Sequence, residues 1–115
     1  MRRVILESPF AGDRDLHERY LHAALADSLG RGEAPFASHA IYTLPGVLDD
    51  REPAQRALGI AAGFAWRDAA EATVVYVDLG ITFGMRCGID DATFKRQTIE
   101  YRQLPDWELY GGERR

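Results

Sequence analysis

Cysteine is almost absent from this chain: Cys87 is the only one among 115 residues. A disulfide within the chain is therefore impossible, and a cysteine-built zinc site is not expected. A lone thiol fits a reducing, cytoplasmic setting. Positive charge is also in short supply, with 14 Lys and Arg against 18 Asp and Glu and a formal net charge of −4. Such a surface has little to offer a phosphate backbone, so nucleic acid is not an expected partner. Long hydrophobic runs are missing too. The N-terminal MRRVILESPF holds three consecutive apolar residues before Glu7, too few for a signal-peptide core, and nothing approaches the roughly 18 apolar residues of a membrane span. No membrane partner is expected. There is no internal repeat, no low-complexity segment, and neither GxxxxGK[ST] nor GxGxxG to cradle a phosphate.

Apolar residues are plentiful, at 46%, enough for the core of one compact domain. Val4–Leu6 reads as a short buried strand closed by Pro9 and Gly12. Asp13 or Asp15 caps a first helix, which carries Leu21, Ala24, Leu25, Ser28 and Leu29 on one face and ends at Gly30 and Gly32. Phe36 to His39 makes a brief second strand, followed by a loop. Asp49 and Asp50 help cap a second helix, which admits Pro53 in its first turn. Gly59 and Gly63 lie four apart on it, a spacing that implies close packing. ATVVYVD is the clearest strand. TFGMRCGIDDATFKR is a third helix with Thr82 as N-cap, and TIEYRQL ends the sheet. The order β-α-β-α-β-α-β predicts an α/β, flavodoxin- or Rossmann-like three-layer sandwich with a small, mostly parallel sheet of four to five strands. Residues 1–104 form the domain and 105–115 a tail, part of which docks through Trp107 and Tyr110.

Ligands of such folds bind at the C-terminal strand ends, beside the point where strand order reverses. Two loops qualify: ESPFAGD after the first strand and DLGITFG after ATVVYV. Ser8 offers a hydroxyl there, and Gly12 permits the turn. Thr82, Phe83 and Gly84 sit at a helix N-terminus, where free amides favour an anion and Gly84 admits close approach. The competing reading is that Thr82 only caps and Gly84 only packs. His39 lies in a loop-rich stretch, and its neutral imidazole either meets a ligand or makes a structural hydrogen bond. His17 and His22, five apart on a helix, are poorly spaced to share a metal, and no metal or cofactor is expected. Asp78 ends a strand and is the carboxylate best placed for a ligand. Glu7 either points into the cleft or stabilises its loop. Asp90 and Asp91 fit a solvated helix face. GxSxG is absent, and nucleophilic use of Cys87 is the lesser reading beside burial.

VILESPFAG, GEAPFASHAIYTLPGVLDD, VVYVDLGITFGM and the GI-x-x-A of the third helix together resemble the nucleoside 2-deoxyribosyltransferase-like superfamily, and most closely a branch of small proteins common in phages and actinobacteria. The resemblance runs from Val4 to about Leu104. It implies a fold that binds a nucleoside, a nucleotide or a nucleotide-derived small molecule, and assembly as a homodimer or larger homo-oligomer. It also implies chemistry at the N-glycosidic bond through a helix glutamate that attacks C1′. Carried over, Ser8, Pro9, Phe10 and Gly12 line the sugar or phosphate site, His39 and Tyr42 approach from the second loop, Asp78 lies near the sugar, and Thr82, Gly84 and Met85 form the turn that meets the sugar-phosphate. Arg86 is a candidate phosphate partner.

One position breaks the pattern. Enzymatic members continue as Met-x-x-Glu-Ile-x-x-Ala, whereas this chain reads Met85-Arg86-Cys87-Gly88-Ile89-Asp90-Asp91-Ala92. Gly88 stands where the nucleophile belongs. Asp78, Asp90 and Glu7, in that order, are the substitutes, Asp90 being rotated by roughly 200° about the helix. Three functions follow as expectations: a nucleoside- or nucleotide-binding protein without the nucleophile, an active N-glycosidase or deoxyribosyltransferase using another carboxylate, or an interaction module with a vestigial pocket.

Overall fold

The computed structural model describes residues 1–107. Four strands, β1 (Arg2–Glu7), β2 (Glu33–Phe36), β3 (Ala72–Tyr76) and β4 (Thr98–Arg102), form one sheet in the order β2-β1-β3-β4. Every pairing is parallel, with Val4 opposite Pro35 and Ala72, and Val74 opposite Glu100. The helices are α1 (Arg14–Gly30), the single turn α2 (Ser38–Ile41), α3 (Pro53–Arg67) and α4 (Phe83–Phe94). This is the α/β, Rossmann-like arrangement expected, with four strands. The second strand lies earlier than the pattern indicated. Glu33–Phe36 pairs with β1, and His39 sits instead in the helical turn that follows.

Local chemistry accounts for the helix starts. Asp13 caps α1 by accepting from the Leu16 amide, and Thr82 caps α4 by accepting from the Met85 amide. Glu52, not Asp49 or Asp50, caps α3, its carboxylate taking the amides of Ala54 and Gln55. Asp49 pairs with Arg51 instead. Pro53 occupies the first turn, where its missing N–H costs nothing. None of the described helices is long and apolar enough to cross a membrane.

Strand alternation divides the sheet into two unlike faces. Val4, Leu6, Ala72, Val74 and Tyr76 face α1 and pack with Tyr20, Leu21 and Ala24. Trp107 closes this core edge-to-face against Tyr20, 4.9 Å between ring centroids. It is buried in its own chain rather than free for a partner; Tyr110 lies outside the described residues. Leu29, near the end of α1, is exposed. On the opposite face Val75 meets Met85 and Ile89 of α4, while Glu7 and Thr73 meet Arg67 of α3.

Charge is buried on the α1 face too. Arg102, 5% exposed, donates to both oxygens of Glu33 at 2.7–2.8 Å. Ser28 donates to Glu33 at 2.8 Å, and Arg2 adds a second cation. The Arg102 guanidinium holds the Glu33 carboxyl well down, to about 2. A buried pair stripped of one member leaves an uncompensated charge, so Arg102→Met should destabilise the protein by about 3–5 kcal/mol, read from urea unfolding midpoints at pH 7. Because the folded value lies below the ordinary 4.5, the contribution of Glu33 is complete above about pH 4.5 and fades as pH falls towards 2. Unfolding midpoints of the wild type should drop more steeply across that window than those of Glu33→Gln.

Candidate functional site

The strand order reverses between β1 and β3, and a cleft of about 290 Å³ opens at the C-terminal end of that junction, where parallel sheets place their ligands. One wall is the end of β1 with Glu7, Ser8 and Phe10. The second is the start of α4, from Thr82 to Met85 and on to Gly88. The third is formed by α2 and α3, through His39, Tyr42, Gly59, Gly63, Phe64 and Arg67. The volume lies near the lower end of the ~300–1,000 Å³ of small-molecule sites.

Glu7 lies at the floor. The β1 alternation that turns Val4 and Leu6 towards α1 turns Glu7 the other way, under α3 and α4. Oε2 accepts from Arg67 Nη2 at 2.9 Å. Arg67, 2% exposed, also donates from Nε to Asp91 at 2.9 Å and from Nη1 to Thr73. Burial pushes the Glu7 carboxyl above the ordinary carboxylate value, against the opposing pull of Arg67. Gly88 is the complement of this carboxylate. A β-carbon at position 88 would collide with Glu7 Oε2 and stand 2.6 Å from Cδ, closer than real β-carbons pack. The bare backbone of α4 makes room for the Glu7 side chain.

On the second wall, Thr82 takes the Met85 amide, leaving the Phe83 and Gly84 amides with no helical acceptor. The space beside Gly84 is open, with Thr82 Oγ1 at 4.0 Å from where a β-carbon would be. On the third wall, Ser8 Oγ lies 3.1 Å from His39 Nε2. Burial lowers the His39 pKa to about 4, so the imidazole is neutral at physiological pH. Phe10 meets His39 edge-on at 5.6 Å and carries the Arg14 guanidinium over its ring at 4.3 Å. The Tyr42 hydroxyl accepts from Trp66 Nε1 at 2.7 Å. Gly63 lets α2 approach α3, since a β-carbon there would be 3.1 Å from Ser38 Cβ.

The cleft therefore brings together eight of the expected residues: Ser8, Phe10, His39, Tyr42, Thr82, Gly84, Met85 and Gly88. Five others lie off its walls. Pro9 is buried, and Gly12 forms the turn before α1 at φ +90°. Arg86 and Asp90 are exposed on the outer side of α4. Asp78 belongs to the opposite face: it lies two residues beyond Tyr76 and shares that residue's side of the sheet. Its Oδ2 accepts from Tyr20 Oη at 2.6 Å and from the Leu104 amide at 2.9 Å, so it ties α1 to the segment after β4. Asp91 is not solvated but half-buried against Arg67. Glu7 and Arg67 are the cleft residues that sequence reasoning undervalued. Arg67 gave only a weak signal, a basic residue in the last turn of a helix that is otherwise apolar after Arg56. Among the described residues, no three His, Cys, Asp or Glu side chains gather as a metal site.

Fold and cleft define a Rossmann-like α/β protein with a carboxylate-floored cleft at the switch point. The chain belongs to the family described as Domain of unknown function (DUF7768), whose model matches residues 2–102. Comparison with curated proteins and with solved structures yields no match.

The Glu7–Gly88 fit has a measurable sign. In a free helix Gly→Ala gains roughly 0.8–1 kcal/mol. Here the added methyl collides with the carboxylate, an overpacking cost of typically 1–3 kcal/mol. Gly88→Ala should therefore destabilise the wild type yet stabilise the Glu7→Ala background, as read from a double-mutant cycle of urea unfolding.

Proposed function

We propose that the chain binds a nucleoside, nucleotide or nucleotide-derived small molecule in this cleft and cleaves its N-glycosidic bond, with Glu7 in place of the helix nucleophile. The carrying observation is the position of the Glu7 carboxylate in the space a side chain at residue 88 would begin to fill. Glu7 lines the cleft; its Oε2 is held by Arg67, and Oε1 has no partner among the described residues. The resemblance to the nucleoside 2-deoxyribosyltransferase-like superfamily supplies the substrate class. Aromatic rings at Phe10, Phe64 and Tyr42 provide apolar faces for a base. Ser8, His39 and the first amides of α4 provide polar partners for a sugar or its phosphate.

The chemistry balances with water as co-substrate. Glu7 Oε1 forms a bond to C1′ as the C1′–N bond breaks, and its electron pair leaves with the base, which takes up a proton. Water then adds to C1′ and loses a proton, while the C1′–O bond to Glu7 breaks and restores the carboxylate. Transfer to a second base would replace water in that step. A reducing, cytoplasmic compartment and self-association complete this reading. Leu58 and Trp66 lie exposed on the outer side of α3, apolar surface that a second copy would cover.

The alternative, binding without turnover, is favoured by Gly88 itself, because no relative's nucleophile can be carried over onto it. The two readings separate when the protein is incubated with deoxynucleosides and their monophosphates while free base and thermal stability are followed together. Base release should fall by roughly 10⁴-fold in Glu7→Gln and persist in Asp78→Asn that remains folded. A ligand at 100 times its Kd adds about 2.7 kcal/mol of stability. Stabilisation of the wild type with no free base would establish binding alone, and neither signal with any member of the panel would remove the nucleoside reading.

A further inference from the structure

We propose that Arg67 is the positioning residue of the site: it holds Glu7 Oε2 and leaves Oε1, which has no partner among the described residues, as the reacting atom. This rests on Glu7 being the reacting carboxylate proposed above. The geometry supporting it is a fork with every prong used. Nη2 holds Glu7 Oε2 at 2.9 Å, Nε holds Asp91 Oδ2 at 2.9 Å, and Nη1 holds the Thr73 hydroxyl. The partners are themselves anchored. Thr73 donates to Gln97 Oε1, and the Gln97 amide donates to the Arg67 and Ala70 carbonyls at 2.9 and 3.0 Å. Asp91 takes Lys95 Nζ at 3.1 Å, and Lys95 also donates to the Phe64 carbonyl at 2.8 Å. Elements α3, β3 and α4 thus lock one guanidinium, which holds Glu7 at the cleft wall.

A planar, always-charged fork suits this task, since it fixes direction as well as supplying charge. Lysine at position 67 could serve one partner at a time. The charged groups acting on Glu7 are Arg67 from α3 and Asp91 from α4, with Lys95, just beyond α4, paired to Asp91. Arg67 and Asp91 act on the Glu7 proton in opposite senses, the cation favouring the carboxylate and the neighbouring anion opposing it.

A purely structural ion pair would lower stability and move the Glu7 titration when broken, and would leave kcat of the folded protein where it was. Two readouts are taken on the full chain, and the second carries the distinction. The first is the carboxyl ¹³C titration of Glu7, assigned by its loss in Glu7→Gln. It should move up in Arg67→Gln and down in Asp91→Asn. The second is base release from the deoxynucleoside panel, where Arg67→Gln should lose roughly 10²-fold in kcat with little change in KM and with the acidic limb of the pH profile shifted upward. Should Arg67→Gln fail to fold, Arg67→Lys carries the test, with a partial kcat loss and an upward titration shift smaller than full removal would give. Glu7 titrating at the wild-type pH in folded Arg67 and Asp91 variants would overturn the proposal. No base release by wild type under any condition would remove the glycosidase reading alone, and the titration arm would still decide whether Arg67 and Asp91 control Glu7.

Discussion

A carboxylate placed on the inner face of a parallel sheet needs a cation, and most of the cleft follows from meeting that need. Glu7 is buried beneath two helices, where an unpaired charge would be untenable. Arg67 answers it from the end of α3, and Asp91 and Thr73 secure Arg67 in turn. That places α3 and α4 side by side on one face of the sheet. The carboxylate also has volume, so α4 must present bare backbone where it passes, and Gly88 is the result. Two residues 81 positions apart in sequence are thus one packing unit, and neither can be understood alone.

The two faces of the sheet divide the work. The α1 side holds the larger apolar cluster, with Tyr20, Tyr76 and Trp107 among its bulk, and its own ionic cluster around Arg102 and Glu33. Asp78 serves this side by joining α1 to the chain after β4. The α3/α4 side has a small apolar patch around Val75 and Met85 and gives over the rest to polar contacts. Stability is concentrated on one side, and the other is left free to hold a cleft lined by hydroxyls, a neutral imidazole and a held carboxylate. The proposed glycosidic chemistry uses that asymmetry, because a carboxylate and a sugar need a partly dry pocket.

Legibility followed the range of the interactions. Helix caps at Asp13 and Thr82, the proline start of α3 and the β3 run ATVVY are local, and the local pattern exposed them. So did the two loops of the cleft, since a parallel sheet leaves few places for a ligand. The cap of α3 is not legible in the sequence because three acidic residues compete within four positions, and only the fold shows Glu52 taking the helix amides while Asp49 pairs with Arg51. His39 was placed on a strand because FASH carries no period that separates a strand end from a single helical turn. Asp78 outranked Glu7 because both end strands, and VILE and VVYVD are too uniformly apolar to tell which alternate set faces which helices. Once Tyr76 is seen against α1, Asp78 falls on the same side and Glu7 on the other.

What the sequence determined by itself was therefore the α/β order, the parallel sheet, the starts of α1 and α4 and the two loops at its C-terminal edge. These depend on residue spacing, backbone preference and the single handedness of β-α-β crossovers, all properties of short stretches of chain. Only the tertiary structure decided which carboxylate enters the cleft, why Gly88 is bare and what Arg67 is for. Those are contacts between β1, α3 and α4, and a side chain's partner across such a distance is set by three-dimensional packing that leaves no pattern in the residues on either side of it.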